Sequence, residues 1–434
     1  MGIAAGTAAA APLVPACSRA SATPPDPAEA QQVPRGKTTI DWWYSSVAAK
    51  DGGDLAPRLI SAFRKRYPQI SVNIIKAPAS TDTQRSALST QLAAGSASPD
   101  VYQGDITWAA QFGAASFALP VESLLDEEEW QRYPKALLTS LGYQGHRYAF
   151  PLYQDQPYLY YRRDLLHKHG LRVPRTWEEL MRTAQRVQRA GDIKHGFVWQ
   201  GNVYEGMTCN VTEILADAGG QALSPDGSRA TFAGPAAERA LGLMRDLVTS
   251  RVSPSAVSTF IEQNTIDDFS AGRSLFLRNW PYAWGVVANP DSSSVAGKVG
   301  AALRPGFEGR EGGLGCLGGW CNYLNPHSRK LGAAAAFAKF IAQEGQMVLA
   351  EHGAQLPTTR EALNSRWIRG SKNPVYALAP EMKLVARPTR NPSYPQVSKA
   401  IYTHANRVLT GVPVARAVAD AQDQLTAALA GESL

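Results

Sequence analysis

The stretch Ile40-Asp41-Trp42-Trp43-Tyr44 decides the fold once residues 54–74 are read with it. Its β-branched and aromatic side chains favour a strand. Leu55, Leu59, Ile60 and Phe63 follow at helical spacing on one face, so residues 54–66 are predicted helical, and Pro68 stops the helix. Ile70, Val72 and Ile74 then alternate as a strand does. Strand, helix and strand in this order imply parallel strands joined by a right-handed crossover.

The alternation continues outward. A helix over 82–94 stops at Gly95, and Asp100-Val101-Tyr102 enters a strand whose end presents Gly104-Asp105. Residues 158–161 read as strand, followed by a short helix near 163–169. Thr176 opens another helix, with Glu179 three positions on completing a capping box and Gly191 ending it. Strands near 196–199, 275–278 and 299–303 alternate with helices near 208–219, 235–250 and 265–271. An Ala-rich helix covers 330–343 and a terminal one 413–430. This is an α/β pattern, and 434 residues suit two lobes, which interleaved segments would fit.

Composition narrows the function. Apolar content of 44% and charged content of 19% describe a globular chain with ample core. The net charge of +7 is spread out, with only short runs such as Arg64-Lys65-Arg66 and Arg162-Arg163. A nucleic-acid binder would concentrate its basic residues, so no nucleic-acid partner is expected. No stretch is apolar and long enough to span a bilayer. Residues 1–16 are Ala- and Gly-rich without charge, and Leu13-Val14-Pro15-Ala16 precedes Cys17. That reads as a signal peptide over 1–17 with a lipid-attachment cysteine, although the basic start is missing. A disordered N-terminus with an incidental Cys17 is the alternative. Residues 18–37, rich in Ser, Ala, Thr and Pro, read as a flexible tether. With Cys17 acylated, Cys209, Cys316 and Cys321 remain, an odd number that allows one disulfide at most. A Cys316–Cys321 bridge and three buried thiols are both open. No Cys-x-x-Cys occurs and His167-x-His169 has no third ligand nearby, so no metal or cofactor is expected.

The residues with chemistry to offer are clustered. They are Gly104-Asp105, Tyr153-Gln154-Asp155, Tyr204-Glu205, Asn279-Trp280-Pro281-Tyr282 and Gly318-Gly319-Trp320. Aromatic rings offer flat apolar faces to the C–H faces of a pyranose, and carboxylates accept hydrogen bonds from its hydroxyls. The Gly-rich stretch 312–319 is no phosphate loop, since no Gly-Lys-Ser/Thr follows.

From Pro99-Asp100-Val101 to Arg387-Pro388-Thr389, the order and spacing of these motifs resemble one family. The set includes Pro151-Leu152-Tyr153-Gln154-Asp155, Leu159-Tyr160-Tyr161-Arg162, Phe197-Val198-Trp199-Gln200-Gly201, Arg278-Asn279-Trp280-Pro281-Tyr282, Leu317-Gly318-Gly319-Trp320 and Gln355-Leu356-Pro357-Thr358. The chain resembles the substrate-binding lipoproteins of ABC sugar importers, most closely the trehalose/maltose branch, over about residues 38–430. The resemblance implies an α/β periplasmic-binding-protein fold of type II, with two lobes joined by hinge segments around a ligand cleft. It places 38–149 and 317–380 in the N-terminal lobe and 150–316 and 381–434 in the C-terminal lobe. It implies a monomer, lipid-anchored outside the cell membrane, that delivers sugar to permease subunits driven by a cytoplasmic ATPase, without catalysis.

By the same resemblance Asp105 and Asp155 are carboxylate acceptors from opposite sides of the cleft, and Glu205 is a third. Tyr153 and Tyr204 line the site, and Trp280 is the platform beneath a sugar ring. Tyr282 faces the same side if its segment is extended. Gly318 and Gly319 let ligand approach the backbone, Trp320 lines or props the cleft, and Arg387 presents a planar donor fork to hydroxyls. Asp51 and Trp43 are weaker candidates. Each has a plainer use: helix cap for Asp105, turn for Asp155, core packing for Trp280 and Tyr282, and a surface ion pair for Arg387. The acidic set suits a neutral di- or oligosaccharide. Other ligands (a polyol, an amino sugar or a glycerophosphodiester), a sensor or adhesion role without a permease, and a glycoside hydrolase using paired carboxylates are the rival readings.

Overall fold

The structure is a computed structural model that describes residues 27–78, 80–309 and 312–431. The expected signal peptide and Cys17 lie outside the described residues. In chain order the strands are β1 (Thr38–Tyr44), β2 (Ile70–Lys76), β3 (Val101–Asp105), β4 (Gly142–Tyr143), β5 (His146–Arg147), β6 (Ala149–Asp155) and β7 (Tyr158–Arg162). They continue with β8 (His195–Val198), β9 (Ser274–Asn279), β10 (Val299–Ala302), β11 (Gly315–Cys316), β12 (Gly318–Leu324) and β13 (Leu384–Val385).

Two sheets organise the molecule. The first runs β2-β1-β3-β12-β6 and the second β10-β7-β9-β8. As the strand–helix–strand reading requires, β1 is parallel to β2 and to β3, with the helix Ala56–Arg66 as the crossover. β12 joins antiparallel to both β3 and β6. The chain therefore leaves the first sheet at Asp155, enters the second at Tyr158, and returns to the first at Gly318. Two sheets fed by interleaved segments make the α/β architecture expected from the resemblance.

Packing explains the first sheet. One face buries Trp42, Phe63 and Phe337, with Trp42 and Phe337 edge-on at 4.9 Å. Trp42 also donates its indole N–H to Asn322 Oδ1 at 3.0 Å, so this indole donor is satisfied under the helix Leu331–Ala342. Each such buried side chain contributes about 1.5–3 kcal/mol. That helix is Ala-rich because neighbours press against it closely. A Cβ on Gly332 would stand 1.8 Å from the Gln32 carbonyl oxygen. Gln32 directly follows the short 3-10 turn Pro27–Gln31, whose Ala30 is buried and whose Glu29 carbonyl oxygen would also meet that Cβ, at 3.2 Å. The segment read as a free tether is thus docked from Pro27 onward. The capping box of Thr176 and Glu179 is present as read, opening the helix Trp177–Arg189.

The second sheet is packed by the helices Trp177–Arg189, Glu205–Asp217 and Pro235–Thr249 around one apolar core. The helix Tyr394–Leu409 enters the same core, and its periodicity escaped the sequence reading. Its buried positions Val397, Ile401, Ala405 and Val408 are interrupted by Ser398 and His404, which are also buried. The polar insertions mask the apolar stripe.

Candidate functional site

The antiparallel ladder of β12 assembles half of the predicted residues. Trp320 pairs with Asp105 of β3 on one side and Tyr153 of β6 on the other, and Gly318 pairs with Asp155. Gly319 sits at φ +144°, and a Cβ there would meet the Tyr153 carbonyl oxygen at 2.6 Å. Only glycine holds that close crossing without strain.

Asp105 ends β3 and does two jobs. Its Oδ1 accepts from the Thr107 backbone N–H at 2.9 Å, so the plain capping role is real. It also accepts from Arg387, with Nη2 at 2.9 Å and Nη1 at 3.3 Å. The same Nη1 donates to Glu205 Oε1 at 2.7 Å. Glu205 is the first residue of the helix Glu205–Asp217, and it accepts from the Tyr394 hydroxyl and from Ser398 Oγ at 2.5 Å. Its backbone N–H donates to Asp82 Oδ2 at 3.3 Å, in the first turn of the helix Thr81–Ala93. Carboxylates gathered at a helix N-terminus are favoured by its dipole. Burial alone would lower Arg387, but Asp105 and Glu205 outweigh it and keep the guanidinium charged. Arg387 is therefore no free fork and no surface ion pair. Both terminal nitrogens are committed to carboxylates, and among the described residues only its buried Nε lacks a partner.

A second group surrounds Trp280. Glu262 accepts from Trp280 Nε1 at 3.2 Å and from the Tyr204 hydroxyl at 2.8 Å. The Arg278 guanidinium lies 4.0 Å from the Trp280 ring centroid and covers one face. Arg278 is itself held by Glu213 and by Gln200 Oε1 at 2.9 Å. A Cβ on Gly318 would lie 3.4 Å from the Trp280 ring, so glycine leaves room beside the aromatic edge. Tyr282 packs against this group while staying half-buried. The extended geometry expected for Trp280 and Tyr282 is absent. β9 stops at Asn279, and Tyr282 has φ −63° and ψ −24° at the start of the helix Ala283–Val287. Proline at 281 turns the chain, so packing and not strand alternation brings the two rings together.

Asp155 is buried, and its Oδ1 has no hydrogen-bond partner among the described residues. Burial, then the charges of Asp105 and Glu262, push its carboxyl up to about 8. A protonated carboxyl donates as well as accepts, which suits a ligand hydroxyl. Trp320 is half-buried and edge-on to Trp108 at 6.2 Å, which props the ring from the first sheet.

Not every predicted residue converges. Asp51 lies on an exposed loop, paired with Arg58 at 2.6 Å. Trp43 is buried in the first-sheet core. Cys316 and Cys321 do not bridge. Cys209, Cys316 and Cys321 are all free and buried, and Cys321 belongs to a different packing cluster from Cys316. Sequence reading missed Asp82, Glu262, Tyr394 and Ser398. Glu262 opens the helix Glu262–Ser270 and Ser398 lies inside a helix, so neither stood in an aromatic motif. A recess of about 1160 Å³ lies elsewhere, around Glu122, His146 and Arg147, and none of the predicted site residues lines it.

Comparison with known proteins now identifies the class. Residues 40–348 match the model of the bacterial extracellular solute-binding proteins. A probable ABC transporter-binding protein of Deinococcus radiodurans is 30% identical over 355 residues, 78% of this chain and 82% of that one. A mannitol-binding protein of Pseudomonas aeruginosa is 25% identical over 314 residues, 71% of each chain. The solved structure of maltose-bound T. maritima MalE3 is 32% identical, with a TM-score of 0.82 over 89% of this chain and 98% of that chain. The fold is that of the type II periplasmic sugar-binding proteins, and the chain belongs to the bacterial extracellular solute-binding protein family.

Proposed function

We propose that this protein is the substrate-binding component of an ABC importer and captures a neutral di- or oligosaccharide of the maltose or trehalose type between two lobes. The lobes are residues 38–149 with 317–380, and 150–316 with 381–434. Closure about the hinge segments buries the ligand, and the closed form is what the permease reads. Cys17 anchors the chain to the outer face of the membrane through lipid. Among the described residues no helix is long and apolar enough to cross a membrane.

The observation that carries this reading is the Asp105–Arg387–Glu205 bridge beside Trp280. It brings a carboxylate from the first sheet and one from the second-sheet helices onto a single guanidinium. Two carboxylates face one guanidinium, which leaves no unspent cation in the bridge, so the remaining valences, Asp155 Oδ1 and Arg387 Nε, suit hydroxyls and not a phosphodiester. Hydrogen bonds to charged groups contribute roughly 1.5–3 kcal/mol each. A few of these with one stacked ring reach the roughly −8 kcal/mol of a micromolar complex. The ion pair ties up Asp105 and Glu205, which argues against an acid–base pair and for binding without hydrolysis.

A second reading is a polyol, because the same hydroxyl-accepting groups serve an open chain and one relative binds mannitol. Calorimetric titration with maltose, maltotriose, trehalose and mannitol separates the two. Saturable binding of an intact disaccharide supports the first reading, mannitol alone supports the second, and flat traces across the panel reject both.

A further inference from the structure

The described residues hold three free cysteines, and two of them share one buried cluster. Cys209 of the helix Glu205–Asp217 and Cys316 of β11 close a small buried cluster with Trp280. The helix packs directly on β11. The neighbouring Cys316 thiol, ahead of burial, pushes the Cys209 thiol up. Cys316 also faces the Leu317 carbonyl oxygen at 3.7 Å. Cys321 sits apart, in the cluster of Trp108 and Tyr323.

We propose that Cys209 and Cys316 are a redox pair, converted by a disulfide-donating oxidant into a disulfide beneath Trp280. The inference rests on the family's extracellular setting, where such bonds persist, and is independent of the ligand's identity. One thiolate attacks the donor disulfide, forming a mixed disulfide and releasing one donor thiol. The second thiolate then displaces the other donor thiol. Two S–H bonds and the donor S–S bond are lost, and one protein S–S bond and two donor S–H bonds form. The two electrons end on the donor.

The position gives the bond a consequence. The helix carrying Cys209 begins at Glu205, and β11 leads into Gly318. A covalent tie fixes the spacing of these two site residues below the aromatic platform. It also closes a long loop in the unfolded chain, which favours the folded state. Both thiols are buried, and the Cys209 thiol is pushed up, so exchange belongs to the folding or opened chain.

The test uses the full chain, refolded with oxidised glutathione, alkylated under denaturing conditions without reductant, and mapped by mass spectrometry. The expected result is joint loss of alkylation at Cys209 and Cys316, a linked peptide pair, and retained alkylation at Cys321. The oxidised protein should also melt higher than the reduced one, and Cys209→Ser should erase that gap. If Cys209→Ser does not fold, Cys321→Ala serves, because it must keep the link. Full alkylation of Cys209 and Cys316, or a bond to Cys321 instead, overturns the proposal. Sugar titration on each redox form is read separately, so failure of the ligand reading leaves this result standing.

Discussion

Arg387 and Asp105 stand 282 positions apart and meet through two charged hydrogen bonds of 2.9 and 3.3 Å. Both are buried, and Glu205 shares the same guanidinium at 2.7 Å. A buried ion pair is weak evidence for stability, but breaking one strands the charges left behind.

Arg387→Ala should therefore cost about 3–5 kcal/mol of folding stability, since two buried carboxylates lose their partner. Urea unfolding checks this. A variant as stable as the parent would mean that the three groups do not form this bridge in solution.

Trp280→Ala should weaken sugar binding by about 2 kcal/mol or more, as for a buried aromatic anchor. That is a factor of about 30 in Kd. Glu262→Gln should give a smaller loss, because it disturbs acceptors of the Trp280 indole and the Tyr204 hydroxyl without removing the ring. Titration calorimetry measures both, and unchanged affinity in the tryptophan variant removes Trp280 from the site.

Asp155 makes unliganded stability depend on pH. Its carboxyl is raised from 3.8 to about 8 by burial, Asp105 and Glu262. Between those values the folded state keeps the proton and the unfolded state has lost it. Stability from this group is full below about 4, falls as pH rises, and is gone above about 8. The slope is about 1.4 kcal/mol per pH unit within the window. Asp155→Asn should flatten that part of the profile. Parallel curves for variant and parent would show that Asp155 is already ionised at neutral pH.

Gly319→Ala should cost about 1–3 kcal/mol, because the backbone is at φ +144° and the new methyl meets the Tyr153 carbonyl oxygen. Thermal melts measure it. A neutral result would mean that β12 can shift away from β6.

The strands and helices were legible where one apolar period ran unbroken, as in residues 40–74. They were hidden where buried polar side chains interrupt the pattern, as in the helix Tyr394–Leu409 with Ser398 and His404. The family resemblance assigned Asp105, Asp155, Glu205 and Trp280 to one cleft, and each of them sits at or next to an element end. It missed Glu262 and Asp82, which are single acidic residues in first helical turns and look like ordinary caps.

By itself the sequence determined the alternation of strands and helices, the capping box at Thr176, and the set of aromatic and acidic side chains available to a ligand. These are local properties, set by side-chain periodicity and by the few residues around a turn. The tertiary structure alone decided that Arg387 is spent on Asp105 and Glu205, that Glu262 holds Trp280, and that Cys209, not Cys321, neighbours Cys316. Those outcomes depend on which distant strands pair and which helices cover them, and no period in the chain encodes a contact across 282 positions.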